Sequence, residues 1–90
     1  MTIWVTKYAL ARGIIRLDGA VLRIVHSAKG ERRCALVVRP GMTPLRYWPG
    51  EWHEDRASAI RRAEEMRAAA LAGLARAADR LASLDFGAAP

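Results

Sequence analysis

The stretch Asp55–Phe86, DRASAIRRAEEMRAAALAGLARAADRLASLDF, decides how the rest of the chain can fold. Asp55 suits a helix N-cap, because a carboxylate there accepts from the free amides of the first turn. Ser58 sits three residues on, where a capping box prefers Glu or Gln. Beyond it, positions 60, 63, 67, 70, 74, 77, 81 and 84 follow alternating steps of three and four and read Ile, Ala, Arg, Ala, Leu, Ala, Leu and Leu. Only Arg67 interrupts that apolar seam, and Met66 and Leu71 widen it. The spacing predicts one long amphipathic helix over 55–86, closed by Phe86-Gly87, with Ala88-Ala89-Pro90 frayed.

Length then constrains the packing. Thirty helical residues span about 45 Å at 1.5 Å per residue, whereas strands of five or six residues span only about 17–20 Å. A sheet can cover Ile60, Ala63 and Met66 but not the half that holds Leu74, Ala77, Leu81 and Leu84. Those four residues are predicted to form a homodimer seam, since Ala-rich turns with Gly73 among them let a second helix approach closely. The alternative is a helix that breaks at Gly73 and folds back, Gly costing about 1 kcal/mol relative to Ala in a helix.

The first fifty residues read as β-structure. Ile3 to Ala9 is β-branched and aromatic without a breaker, and Ala11-Arg12-Gly13 allows a turn. Ile14 to Ile24 resumes as one long bent strand or two short ones, Gly19 permitting a bend before Val21 to Val25. Lys29-Gly30 within Ser27 to Glu31 marks a hairpin, and Arg33 to Val38 is the returning strand. Pro40-Gly41 and Pro44 punctuate a loop, after which Leu45 to Trp48 is a short edge strand ended by Pro49-Gly50. The predicted class is α+β: a three- or four-stranded antiparallel meander followed by the C-terminal helix. Ninety residues suffice for one core, so the chain is read as a single domain, 1–90, with a basic sheet in 1–50 and the helix in 55–86.

The net charge of +6 is unevenly placed. Residues 1–50 carry Lys7, Arg12, Arg16, Arg23, Lys29, Arg32, Arg33, Arg39 and Arg46 against Asp18 and Glu31, whereas residues 51–90 carry six arginines against seven acids. The sheet therefore holds the positive excess and is expected to attract an anionic partner, through Arg16, Arg23, Arg33 and Arg46. The competing account is that the charge only maintains solubility. A second candidate surface is aromatic: Tyr47, Trp48 and Trp52 lie within six residues beside Arg46. Trp, Tyr and Arg dominate binding hot spots, and aromatic rings stack on bases. The plainer reading is that Trp48 and Trp52 cap the core where the sheet meets the helix.

Signs of catalysis are sparse. His26, His53 and Cys34 are scattered at spacings unsuited to a metal, so no metal or cofactor is expected. Cys34 reads as a small buried hydrophobe. His53-Glu54-Asp55 is the one cluster of imidazole and carboxylates, and carboxylates at a helix N-terminus are explained by the helix itself. Phosphate loops, nucleophile elbows and dinucleotide fingerprints are missing, so the chain is read as a non-enzyme. A single cysteine fits a reducing compartment, Lys7 and Arg12 interrupt any N-terminal signal segment, and the longest uncharged helical run, Ala68 to Ala75, is far short of a membrane span. The expected location is the cytoplasm.

Two separated stretches resemble a family of small phage and mobile-element proteins. One is Trp4-Val5-Thr6-Lys7-Tyr8-Ala9-Leu10 with Gly13-Ile14. The other is Gly50-Glu51-Trp52-His53 leading into Ala59-Ile60-Arg61-Arg62-Ala63-Glu64-Glu65-Met66-Arg67. Leu84-Asp85-Phe86 is similar to the ending of the family's helix. Residues 20–45 have no counterpart, and the helix here carries Ala and Arg where relatives carry Lys and Ile. The resemblance implies a phage-borne accessory protein acting in a bacterial host cell, and such proteins include anti-CRISPR inhibitors, non-enzymatic binders that occupy a host nuclease complex. The function expected is an anti-CRISPR-type inhibitor of a CRISPR effector. The alternative is a small nucleic-acid-binding regulator that uses the basic sheet face.

Overall fold

Asp18 and Gly19 interrupt the strand pattern, and Gly19 takes φ +76°, a left-handed conformation that favours glycine. The chain there leaves one sheet and enters another. The computed structural model describes residues 1–87, so the fraying expected of Ala88-Ala89-Pro90 lies outside the described residues. It contains β1 (Ile3–Val5), α1 (Ala9–Arg12), β2 (Ile15–Leu17), β3 (Val21–Ser27), β4 (Gly30–Val37), β5 (Leu45–Tyr47), β6 (Trp52–His53) and α2 (Arg56–Ala82).

The fold is α+β, with every strand pair antiparallel and one long C-terminal helix. Instead of one meander, however, the strands form two three-stranded sheets, ordered β2-β1-β6 and β3-β4-β5. Of the two readings for residues 14–24, the pair of short strands is correct. The first strand is also shorter than the pattern suggests. It ends at Val5, although the Thr6 N–H still donates to the Glu51 carbonyl at 2.9 Å, in line with the pairing to β6. The helix formers Ala9, Leu10, Ala11 and Arg12 then make a single turn of helix, closed by the Gly13 N–H donating to the Ala9 carbonyl.

The β3–β4 hairpin closes through Ala28-Lys29, with Ser27 paired to Gly30. Gly30 has φ +109°, and the Ser27 hydroxyl both accepts from the Lys29 N–H and donates to the Gly30 carbonyl. This turn fixes the register of the whole hairpin, including Val25 opposite Arg32 and Arg23 opposite Cys34.

The core lies between the sheets. Ile3 and Val5 of β1 meet Ala20, Ala35, Val37 and Tyr47, with Ile15, Leu17, Leu45 and Trp52 packed around them. Trp4, between Ile3 and Val5, points to the opposite face, which it shares with its cross-strand partners Arg16 and His53. That face is covered by the start of α2, where Ala59 is fully buried and Ile60, Ala63 and Met66 are half-buried.

Asp55 caps α2 as read, its carboxylate accepting from the Ser58 N–H at 2.8 Å. The helix runs through Gly73 without a break and ends at Ala82, a turn before the expected Phe86. From Arg67 to Ala82 every residue except the half-buried Gly73 is exposed. Leu71, Leu74, Leu81 and Leu84 are all more than half exposed. The molecule measures 62 × 31 × 27 Å, and its 19.2 Å radius of gyration far exceeds the ~12 Å of a compact chain of this length. The second half of α2 thus projects from the body, the geometry that strand and helix lengths require.

Ala59→Leu, which overfills the one fully buried helix position, should cost about 1–3 kcal/mol and lower the melting temperature by roughly 5–20 °C. Ala69→Leu, on the exposed half, should leave it within about 2 °C. Equal melting temperatures for the two variants in thermal unfolding would contradict this packing.

Candidate anion-binding face

Directly paired residues in an antiparallel sheet share a face, so the register of β3, β4 and β5 assigns each charged side chain. Arg23 faces Cys34, Val25 faces Arg32 and Leu36 faces Arg46. Alternation along β4 puts Arg32, Cys34 and Leu36 on one surface, and along the chain from β5 it adds Trp48 to Arg46. This is the outer face of the second sheet. The Arg32 guanidinium carbon lies 4.8 Å from the centre of the Trp48 ring and that of Arg46 lies 5.8 Å from it. Both are within cation–π range. Arg23, Val25, Cys34, Leu36 and Arg46 line a shallow groove of about 340 Å³, with Cys34 buried at its floor.

None of Arg23, Arg32 and Arg46 takes part in an ion pair among the described residues, and all three are exposed. The nearest acid by register, Glu31, lies on the opposite face and pairs with His26 at 3.4 Å. Trp48 is held in place by its backbone, whose N–H donates to the Glu51 carboxylate at 2.8 Å. Glu51 also meets Lys7 at 3.4 Å. The arrangement is a rigid aromatic plate flanked by uncompensated guanidinium groups on a β-sheet. It suits a carboxylate, a phosphate or a planar ring.

The structure does not gather the four arginines expected to form one basic face. Arg23 and Arg46 share the outer surface. Arg33, opposite Ile24, points to the other side of the same sheet, and a cavity of about 530 Å³ lined by Glu31, Arg32, Arg33, Pro49, Gly50 and Trp52 is reached from both faces. Arg16 belongs to the other sheet, on the side facing α2, beside Trp4, Arg56 and Ile60, and pairs with Asp18 at 3.4 Å. Arg32, passed over in favour of Arg33, is the residue that completes the cluster. Its face follows from the hairpin register once the turn is placed at Ala28-Lys29.

The aromatic surface is likewise divided. Tyr47 is buried in the core and is not available to a partner. Trp52 packs at the core's edge with its indole N–H buried and unpaired, and only Trp48 reaches the outer face. Alternation explains the split, because Tyr47 and Trp48 are consecutive and leave the strand on opposite sides. Of the seam residues, Leu74, Ala77 and Leu81 lie exposed along the projecting half of α2, and Leu84 is exposed just past its end.

His53 is tied to the body of the fold. Its Nε2 lies 3.2 Å from the hydroxyl of fully buried Thr6, and Asp55 is engaged by Ser58. Burial holds the imidazole below its ordinary value, with Arg62 adding to the effect while Asp55 and Glu65 oppose it. Among the described residues no three of His, Cys, Asp and Glu are grouped to hold a metal ion, and no helix is long and apolar enough to cross a membrane. No family model, curated protein or solved structure matches the chain.

The His53 environment makes stability pH-dependent. Its folded-state pKa lies below the ordinary 6.5, so the folded chain disfavours the proton. The contribution is present above pH 6.5 and is lost as pH falls through that value toward the folded pKa. Wild-type melting temperature should fall between pH 7.5 and 5.5, and His53→Gln should flatten most of that slope. An unchanged slope in the variant would assign the effect elsewhere.

Proposed function

We propose that this chain is a non-enzymatic binding protein that engages an acidic surface of a host protein complex through Arg23, Arg32, Arg46 and Trp48. The resemblance to small phage and mobile-element proteins suggests the setting: an accessory protein of anti-CRISPR type, occupying a CRISPR effector. The observation that supports the binding role is the set of three unpaired arginines on the outer face, two of them against the Trp48 ring. Three exposed guanidinium groups repel one another, and the contacts of Arg32 and Arg46 with Trp48 offset that only in part, with no acid among the described residues paired to them. An acidic partner removes that repulsion and desolvates the aromatic plate between them, the usual composition of an interface hot spot.

The same chemistry supports a second reading, a nucleic-acid-binding regulator. Guanidinium groups contact phosphates, and Trp48 offers a stacking surface for a base. Its distinguishing property is salt dependence. Each phosphate neutralised on duplex DNA contributes about −0.9 to the slope of log K against log salt, so three arginines predict a slope of about −2.7.

The experiment is capture of the tagged chain's partners from a bacterial host lysate, with and without nuclease, using wild type and the Arg23→Glu/Arg32→Glu/Arg46→Glu variant. A protein complex retained after nuclease treatment and lost with the triple variant is the expected result, with affinity reduced by more than about tenfold. Arg16→Glu and Arg33→Glu, on other faces, should leave capture intact. Binding that disappears with nuclease and follows the salt slope favours the regulator. Capture unaffected by the triple variant removes this face from consideration.

A further inference from the structure

The projecting half of α2 has a face whose residues fit a second copy of themselves. Its exposed apolar positions are Leu71, Leu74, Ala78 and Leu81, spaced 3, 4 and 3. Extending the alternation by four in each direction reaches Arg67 at one end and Asp85, just past the helix, at the other. Spacings of 4-3-4-3-4 read the same from either end. Laid antiparallel about Arg76, one copy therefore sets Leu71 against Leu81 of the other, Leu74 against Ala78, and Arg67 against Asp85. Large residues meet large at the ends and small at the centre, and opposite charges meet at both limits. A parallel pair would place Arg67 against Arg67 and Asp85 against Asp85. Among the described residues neither makes an ion pair within its own chain.

A separate feature lies where such a pair would terminate. Ala9, Leu10 and Ile14 face Ile60, Ala63, Glu64 and Arg67 across a groove of about 250 Å³ between α1 and the body-bound half of α2. Leu10, on its rim, is 56% exposed. At the far end of the projecting segment Phe86 is 87% exposed, the most exposed large apolar side chain described. Arg67, which lines this groove, is the residue that the antiparallel register sets opposite Asp85 of the other copy, so Phe86, next in the chain, is brought to the groove. The free segment, 67 to 85, is also self-limiting in length: each body begins where the opposite helix ends.

We infer that two copies pair through antiparallel projecting halves of α2, with Phe86 of each seated in the α1–α2 groove of the other and Arg67 opposite Asp85. The interface is independent of what the Arg23–Arg32–Arg46 face binds. Glu64, also on the groove, opposes Asp85, but Arg67 is three residues nearer in register. About sixteen helical residues a side is less than the 20–30 of a standard interface, so the association is expected in the micromolar range.

Sedimentation equilibrium of the full chain from about 1 to 500 μM tests this, with circular dichroism confirming that each variant folds. Wild type should show a reversible monomer–dimer equilibrium, and Phe86→Ala should weaken it without lowering the melting temperature of the dilute monomer. Arg67→Asp and Asp85→Arg should each weaken pairing by about three- to tenfold, and the double exchange Arg67→Asp/Asp85→Arg should restore it. A dimer indifferent to the single exchanges would be parallel, one weakened by them but not rescued by the double exchange would be differently registered, and either would overturn the proposal. A chain that stays monomeric throughout would assign the face to some other partner and overturn it equally.

Discussion

Strand β1 reads Ile3, Trp4, Val5, and because successive side chains leave a strand on opposite faces, these three residues join all the layers of the molecule. Ile3 and Val5 are buried against the second sheet, and Trp4 faces the side on which α2 lies. β1 is also the central strand of its sheet, holding β2 along one edge and β6 along the other. Only the short β6 shares this place between the layers, with Trp52 packed at the edge of the core and the strand lying against the start of α2. The body has few other buried apolar residues, and most are small, Ala20, Ala35 and Ala59 among them. A core this thin tolerates little loss, in keeping with the burden on small domains generally.

What was legible in the sequence was local. The step-three, step-four pattern after Asp55, the cap itself and the Lys29-Gly30 turn each express a short-range preference, and each is present in the structure. The mismatch between helix length and strand length was legible as well, being arithmetic. The division into two sheets was not, because it depends on where the chain goes after Gly19 rather than on what Gly19 is. Strand β6 was invisible for the same reason. Two residues, Trp52 and His53, carry no periodicity of their own and become a strand only by pairing with β1, which lies far away in sequence.

The candidate site failed in the sequence at a different level. Counting arginines over residues 1–50 locates the charge but not its direction, and direction in a sheet is decided by parity. Arg32 and Arg33 are neighbours that face opposite ways, as are Tyr47 and Trp48. One-residue precision in register is therefore needed before a basic half becomes a basic face. The hairpin turn supplies that precision for β3 and β4 alone. Arg46 and Trp48 enter through pairing of β5 with β4 across a proline-containing loop, which no local pattern specifies.

The composition of the projecting helix carries a final physical point. Exposed helix surfaces are ordinarily rich in Lys and Glu, which cover apolar stems and keep neighbours apart. Here the segment 68–75 has no charge at all and consists of Ala, Leu and one Gly. Helix propensity explains the alanines, which hold the segment helical without help from the body. Leucine too is a good helix former, but Leu71 and Leu74 left in water each forgo about 1.5–3 kcal/mol of burial that a partner surface would provide. The body cannot reach them, and folding back is ruled out by the unbroken course of α2 through Gly73. Leu71 and Leu74 are thus left in water by the monomer. At the helical repeat they continue the side on which Ile60 and Ala63 pack on the body, so a second helix laid along them would extend the body's own layer.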